Sequence, residues 1–428
     1  MAGGVRSLWA LFIGVALMSL GNGLQGTLLG VRAGQVDFGL TVTGYVMSGY
    51  FIGALVGSII TPKLIGEVGH IRVFAAFASI VSTAALLYAV FIDPTAWFLF
   101  RIATGICIAG LNIVNESWVN AISTTENRGK ILSIYMIIVF ASMGAAQFLL
   151  NVSSPDGFVL FILVSALISL SLVPMTLVKS QAPEFSEPKP VGILDIYRGS
   201  PLAVVACVFN GLGQSAFFTL GAVYAGQIGL SVSEISWLMA VPMLSVIISQ
   251  YPIGMLSDRY DRRIVIIVVS LLTALVAALC MMQSQVSFMG MVVLFGLFGA
   301  LSLPLYSLGL AHANDYLEYD QMLGAAGKLV LLFGAGATVG PILAGELMER
   351  VGADGFFIFM IAVYSGIALF AIYRTTRRAP VPLEEQGDFT LVSPRTTPLA
   401  AAALADESYD ESLHEEKESP GEGDELNS

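Results

Sequence analysis

Apolar residues arrive along this chain in long blocks, not in alternation. Runs at 6–30, 41–62, 72–92, 96–121, 130–151, 157–178, 200–228, 233–256, 264–283, 286–312, 321–348 and 353–374 are separated by short polar turns. Crossing the hydrocarbon core of a bilayer takes a helix of about 20 apolar residues, and only helices and closed barrels satisfy their backbone there. Each run is far too long for a membrane strand, so the pattern predicts an all-α polytopic membrane protein with twelve transmembrane helices. The first run is longer than the apolar region of a secretion signal, carries Asn22 and Gln25, and has no small-residue cleavage site, so it reads as a span.

Composition agrees: 56% of the residues are hydrophobic and 12% charged, where a soluble domain carries about a quarter charged residues. The largest polar interruption, residues 179–201, divides the spans six and six. It predicts a bundle over 1–178, a linker over 179–199, a second bundle over 200–374 and a tail over 375–428. The net charge of −11 is uneven, since thirteen acids and four bases place −9 in the tail and leave −2 for the remainder. Such a tail, rich in Pro, Ser, Gly and Glu, buries too little apolar surface to order itself.

Basic residues set the expected orientation, because short cytoplasmic loops hold an excess of Lys and Arg. With the N-terminus inside, fourteen bases are cytoplasmic, including Arg6, Lys63, Arg72, Arg128, Lys130 and Arg374, and two, Arg32 and Arg350, lie outside. Both termini are then cytoplasmic. Cys107, Cys207 and Cys280 lie in separate apolar runs and suggest neither a disulfide framework nor a metal site. No metal, cofactor or nucleic-acid motif is apparent. "GAGATVG" at 334–340 lacks the lysine and hydroxyl residue of a phosphate loop.

The halves echo each other, as expected of a transporter built from two six-helix repeats. "GNGLQGTLLG" (21–30) in the first run matches "NGLGQSAFFTLG" (210–221) in the seventh, bringing Asn22, Gln25, Asn210 and Gln214 to corresponding places. After the second run of each half, "GSIITPKLIGEVGHIRVF" (57–74) and "GMLSDRYDRRIVII" (254–267) pass from a small-residue helix end through a basic turn into a new helix.

"GMLSDRYDRR" resembles the signature loop of the major facilitator superfamily at Gly254, Leu256, Ser257, Asp258, Arg259, Arg262 and Arg263. "FRIATGICIAG" (100–110) is similar to the family's helix 4 pattern at Arg101 and Gly105. "ENRGKILSIYM" (126–136), "YPIGMLSDR" (251–259) and "GAGATVGPILAGELMERVG" (334–352) look like the bacterial YcaD-like branch. The resemblance covers residues 6–374 and implies a transporter of alternating access. One departure stands out: Thr61 occupies the place in the first half that Asp258 holds in the second.

The arginines of the loop act at least as topology anchors, since burying each costs about 2.5–3.5 kcal/mol. Beyond that, by the pseudosymmetry, Asp258 is expected to face the positive N-terminal end of the fifth helix, near Arg128 and Lys130. Gly254 permits close approach, so the loop acts as a conformational latch.

Charges inside the spans are candidates for transport. Arg101 and Glu116 lie ~22 Å apart along the fourth helix. With Gly105, Asn112 and Asn115 they form one stripe, as a helix lining a watery cavity would. Burial favours the neutral form of a carboxyl, which fits Glu116 as a proton carrier; a structural bridge to Arg128 or Lys130 is the alternative. The resemblance implies proton coupling or anion contact for Arg101, against a packing bridge. Asn22, Gln25, Asn112, Asn115, Asn210 and Gln214 are candidates for the substrate cavity or for helix–helix glue. Lys328 pairs with Asp315, Glu318 or Asp320, or meets an anionic substrate, and His312 caps a helix end.

The expected function is secondary active transport of a small molecule across the cytoplasmic membrane, proton-coupled and in the direction of efflux. An uncoupled facilitator and a proton-coupled uptake symporter remain open. No catalytic constellation or soluble domain points to an enzyme, and a monomer in the lipid bilayer is expected.

Overall fold

The computed structural model describes residues 2–123, 127–177, 192–283, 287–317, 319–377, 381–382 and 386. Most of the predicted linker and tail, and the Arg128 side chain, lie outside the described residues. Every regular element among these residues is a helix, and twelve spans are long and apolar enough to cross a membrane.

The first half contains α1 (Ala2–Gln35), α2 (Leu40–Val68), α3 (His70–Val90), α4 (Pro94–Ile122), α5 (Arg128–Leu149) and α6 (Val159–Leu177). A short helix, α7 (Ile193–Gly199), leads into the second half: α8 (Pro201–Gln227), α9 (Val232–Arg259), α10 (Arg262–Gln283), α11 (Phe288–Ser302), α12 (Leu305–Asn314), α13 (Tyr319–Val351) and α14 (Gly355–Thr375). Local chemistry sets several starts. Asp93 caps α4 by accepting from the Ala96 N–H at 2.9 Å, with Pro94 preset for the first turn. Ser231 and Glu234 form a capping box at α9. Gly69, at φ 86°, makes the sharp passage from α2 to α3 that a residue with a Cβ would resist.

The two halves repeat one packing scheme. In the first, α2 packs on α4, α1 on α5 and α6, and α3 on α4 and α6; in the second, α9 packs on α11, α8 on α13 and α14, and α10 on α11 and α14. Between halves the chief partners are α1 with α8, α2 with α13 and α5 with α9. Large apolar side chains such as Leu99, Ile248, Met282 and Leu369 face outward, the arrangement a lipid-facing belt requires.

Small residues bring the paired helices to backbone contact. A Cβ on Gly105 would fall 2.0 Å from the Tyr50 carbonyl oxygen, and one on Gly53 2.0 Å from that of Ile102, so α2 and α4 touch through their glycines. In the second half a Cβ on Gly336 would fall 2.0 Å from the Val208 carbonyl oxygen.

The tenth span is the structural exception, for it is broken between α11 and α12 at Leu303 and Pro304. Pro304 has no N–H, which releases the carbonyl four residues back. That carbonyl, of Ala300, accepts from the Ser249 hydroxyl at 2.7 Å. Gln214 donates to the carbonyls of Ser302 and Leu303 at 3.3 and 3.4 Å. With its amide oriented to suit its neighbours, Asn210 accepts from the Tyr306 N–H at 3.0 Å and donates to Ser302 at 3.3 Å.

Gly105→Val forces α2 and α4 apart and is expected to cost about 1–3 kcal/mol, read as earlier thermal unfolding in detergent. Gly26→Ala is the matched control, because a Cβ there meets nothing within 4 Å. Equal unfolding midpoints for Gly105→Val and the parent would contradict this account of the packing.

Candidate transport site

The polar stripe of α4 does not line a single cavity. Arg101 is 3% exposed, and its guanidinium lies over the Tyr50 ring of α2, 4.8 Å from the centroid. Gly105 is pressed against the same helix. Lower down, Asn115 reaches α1, its amide donating to the Met18 sulfur at 3.4 Å. Glu116, 1% exposed, is hydrogen-bonded by the Tyr135 hydroxyl of α5 and lies within electrostatic reach of Tyr306 of α12. One helical face thus meets three helices of its own half and one of the other.

Arg101 has no carboxylate within ion-pair distance among the described residues, and its Nε makes no hydrogen bond. A cation so buried is costly; the Tyr50 face offsets part of that cost. Other buried polar atoms also lack partners: both amide atoms of Gln25, the Asn115 oxygen and the Tyr306 hydroxyl. Each costs about 1–3 kcal/mol when left unsatisfied. Asn22 and Asn112 are half-buried, and Gly26, one turn from Asn22, faces open space. Unpartnered polar atoms thus occur on α1, α4 and α12.

Asn210 and Gln214, expected in the cavity, spend their hydrogen bonds on the α11–α12 break. Their partners on the first half are not analogous, since Gln25 bonds to nothing and Gln147 takes the structural role instead, accepting from Thr27 at 2.5 Å. Of the expected partners of Lys328, Asp315 is held by Arg262, and the side chains of Glu318 and Asp320 lie outside the described residues. His312 is buried in the last turn of α12, its ring edge-on to Tyr316 at 5.2 Å.

Twelve spans bring Ala2 and Thr375 to the same end of the bundle. Several close approaches between the halves lie from mid-height toward the opposite end, while Glu116 and Tyr306 approach nearer the end that bears the termini. Gly334 meets Leu55 at mid-height, and Gly44 meets the Pro341 carbonyl farther out. Phe140 and Met143 of α5 pack with Met243 and Val246 of α9. Phe148 stacks edge-on with Trp237 at 4.8 Å, and Asn151 donates to Ser236 at 2.9 Å. At the rim, Glu349 of α13 accepts from the backbone N–H groups of Leu40 and Thr41 at 2.9 and 3.4 Å, while the Thr41 hydroxyl donates to Glu346 at 3.2 Å. Gly39 supplies no side-chain cap to α2, so a carboxylate from the other half caps it and meets the positive end of its dipole.

The family model described as Major Facilitator Superfamily matches residues 11–232 and again 203–406. The chain belongs to the Major Facilitator Superfamily. Its similar relatives include an uncharacterised MFS-type transporter of Enterobacter sp. strain 638, 26% identical over 380 residues, covering 88% of this chain and 98% of the relative. The MFS-type transporter YcaD of Escherichia fergusonii matches to the same extent, 26% over 380 residues. Among solved structures, a mutant of the nucleoside transporter NupG superposes with a TM-score of 0.71 at 13% identity, over 86% of this chain and 99% of that one. A bacterial homologue of the human lysosomal transporter Spinster gives 0.71 at 13% identity, over 90% and 99%.

In this Major Facilitator Superfamily chain the signature loop joins α9 to α10, and its centre is Arg262, 1% exposed. Its guanidinium donates to Ser257 at 2.9 Å, to the Ala311 carbonyl at 3.1 Å, to Asp258 at 3.4 Å and to Asp315. It ties the end of α9, the start of α10 and the end of α12 together. Asp258, expected to face the start of α5, pairs with Arg262, four residues on, and the Arg128 side chain it was expected to meet lies outside the described residues. A carboxylate-to-helix-end contact that crosses between the halves is that of Glu349, at the opposite end of the bundle. Arg259 is exposed and Gly254 buried. Burial works to raise the Asp261 carboxyl, but hydrogen bonds from the Arg263 side chain and backbone N–H outweigh it and hold the carboxyl below its ordinary value. That bond contributes stability above the ordinary carboxyl range, lost as the pH falls through the depressed value.

Removing the Glu349 cap costs about 0.5–2 kcal/mol in the state seen here. Spin labels at the exposed positions Val152 and Val351, in the first and second half at the rim, measure its effect. Glu349→Ala is expected to enlarge the long-distance population by roughly 2–30-fold. An unchanged distance distribution would show that the cap does not hold the rim closed.

Proposed function

We propose that this Major Facilitator Superfamily transporter moves a small molecule across the cytoplasmic membrane by secondary active transport, coupled to protons, with efflux as the favoured direction. In this reading the termini face the cytoplasm. The asymmetry of Lys and Arg supports that orientation.

One observation carries the coupling: Glu116, a carboxyl sealed inside the bundle, bonded to Tyr135 and standing opposite Tyr306 of the other half. A carboxylate out of water is costly, and a proton removes that cost. Because Tyr306 comes from the half that must swing away, opening changes the surroundings of Glu116 and with them its hold on a proton. Arg101 lies a long way along the same helix and contributes a fixed positive field from the Tyr50 face. The substrate contacts assigned to the site are Asn22, Gln25, Asn112 and Asn115; both amide atoms of Gln25 and the oxygen of Asn115 are buried without a hydrogen-bond partner. The nucleoside of NupG is that protein's cargo and does not name this one.

The test is purified protein in liposomes with a pH dye inside and a panel of compounds outside, comparing the parent with Glu116→Gln. Compound-dependent proton movement is expected in the parent, with a loss of tenfold or more (about 1.4 kcal/mol) in the variant. Compound movement without proton movement, unaltered by the substitution, would leave an uncoupled facilitator.

A further inference from the structure

Four helix ends of the second half converge on a small recess at the end of the bundle that bears the termini. Ser200 and Leu202 from the start of α8, Arg263 from the start of α10, His312 and Tyr316 from the end of α12, and Arg374 from the last turn of α14 line it. None of these groups takes part in the transport site, which lies between the halves.

The lining is built for an anion. The first turn of a helix leaves backbone N–H groups without intrahelical partners and carries the positive end of the dipole, and α8 presents that turn here. Ser200, its N-cap, makes no capping bond. Its residue is 2% exposed and its hydroxyl has no hydrogen-bond partner, an orphaned donor in the wall of the recess. Arg263 is paired with Asp261 at 2.7 Å, so that carboxylate offsets its charge. Arg374 adds a cation with no carboxylate within ion-pair distance among the described residues. His312 stands between the two arginines.

The surroundings point to a lipid as the source of the anion. Ile193, Leu194 and Tyr197 of α7, and Ile372 and Tyr373 beside Arg374, are exposed apolar side chains at the same end of the bundle. Arg377 lies over the Tyr373 ring at 5.2 Å. Apolar residues, an aromatic ring and arginines at the ends of spanning helices belong at the boundary between acyl chains and headgroups.

We propose that this recess binds the headgroup phosphate of an anionic membrane lipid, held by Arg374, the Ser200 hydroxyl and the first turn of α8. The bound phosphate draws together the ends of α8, α10, α12 and α14, and so fixes the second half at that surface.

Native mass spectrometry of the full chain, purified in mild detergent and given phosphatidylglycerol or phosphatidylcholine, tests it. The parent is expected to retain phosphatidylglycerol in preference. Arg374→Gln should reduce that retention roughly fivefold, the effect of one basic residue near a membrane surface, with phosphatidylcholine retention unchanged. Ser200→Ala, which leaves the charge intact, should give a smaller loss of the same lipid. Equal retention of the two lipids by the parent, or phosphatidylglycerol retention indifferent to both substitutions, would overturn the site. A third arm adds inorganic phosphate: stabilisation against heat by phosphate that needs Arg374, with no such effect of phosphatidylglycerol, would assign the recess to a soluble phosphate and overturn the lipid.

Discussion

Backbone polar groups in hydrocarbon find no water, and the organisation of this chain follows from that constraint. Eleven spans meet it by unbroken helix among the described residues. The tenth does not, and the surrounding side chains show what a break requires. Ser249 takes the carbonyl that Pro304 releases, and Gln214 and Asn210 take the carbonyls and the N–H on either side. Three residues from two neighbouring helices restore what one proline removed. The same dressing ties α8 and α9 to α11 and α12, so the break is also a joint that holds the second half together.

Once the backbone is satisfied within each helix, helices associate in lipid through close packing. The glycines of α2 and α4 allow carbonyl oxygens to approach where a Cβ would sit, and Gly336 with Gly211 does the same between α8 and α13. Such rigid pairs make each half a body that moves as a unit. Between the bodies Gly44 meets the Pro341 carbonyl in the same way, and to this are added a carboxylate on a helix end, an edge-on aromatic pair and single hydrogen bonds. Exposed or half-exposed polar contacts of this sort are each modest in strength, as is needed where an interface must open and close.

The helix runs were legible from the sequence because hydrophobic length is a local property. The expected run of 72–92 and the observed α3 at His70–Val90 differ by about half a turn, and the tenth run alone concealed a break. The polar residues were visible but their roles were not. Asn22 and Asn210 occupy corresponding places in the two halves, yet Asn210 serves the Pro304 break while Asn22 is half-buried on α1. What separates them is a proline more than ninety residues from Asn210, a fact of tertiary contact. Glu349 drew no notice for the same reason, since its partner Leu40 is 309 residues away. Tyr135 gives no such signal either, since an aromatic residue in an apolar run carries no sign that its hydroxyl meets a carboxyl.

The halves share a packing scheme but not their chemistry at the end that bears the termini. Arg262, the first residue of α10, is buried and binds the ends of α9 and α12. The first residue of α3 is His70, also buried, with neither ring nitrogen hydrogen-bonded and its ring stacked on Trp118 at 6.2 Å. Thr61, where the second half has Asp258, also lacks a partner for its hydroxyl. A network of charge-assisted bonds fixes geometry more tightly than a ring contact, since each such bond is directional and about twice as strong as a neutral one. The signature loop therefore stiffens the second half, while the matching corner of the first rests on packing. The corner that rests on packing, next to Glu116 on α4, lies in the half that holds the buried carboxyl.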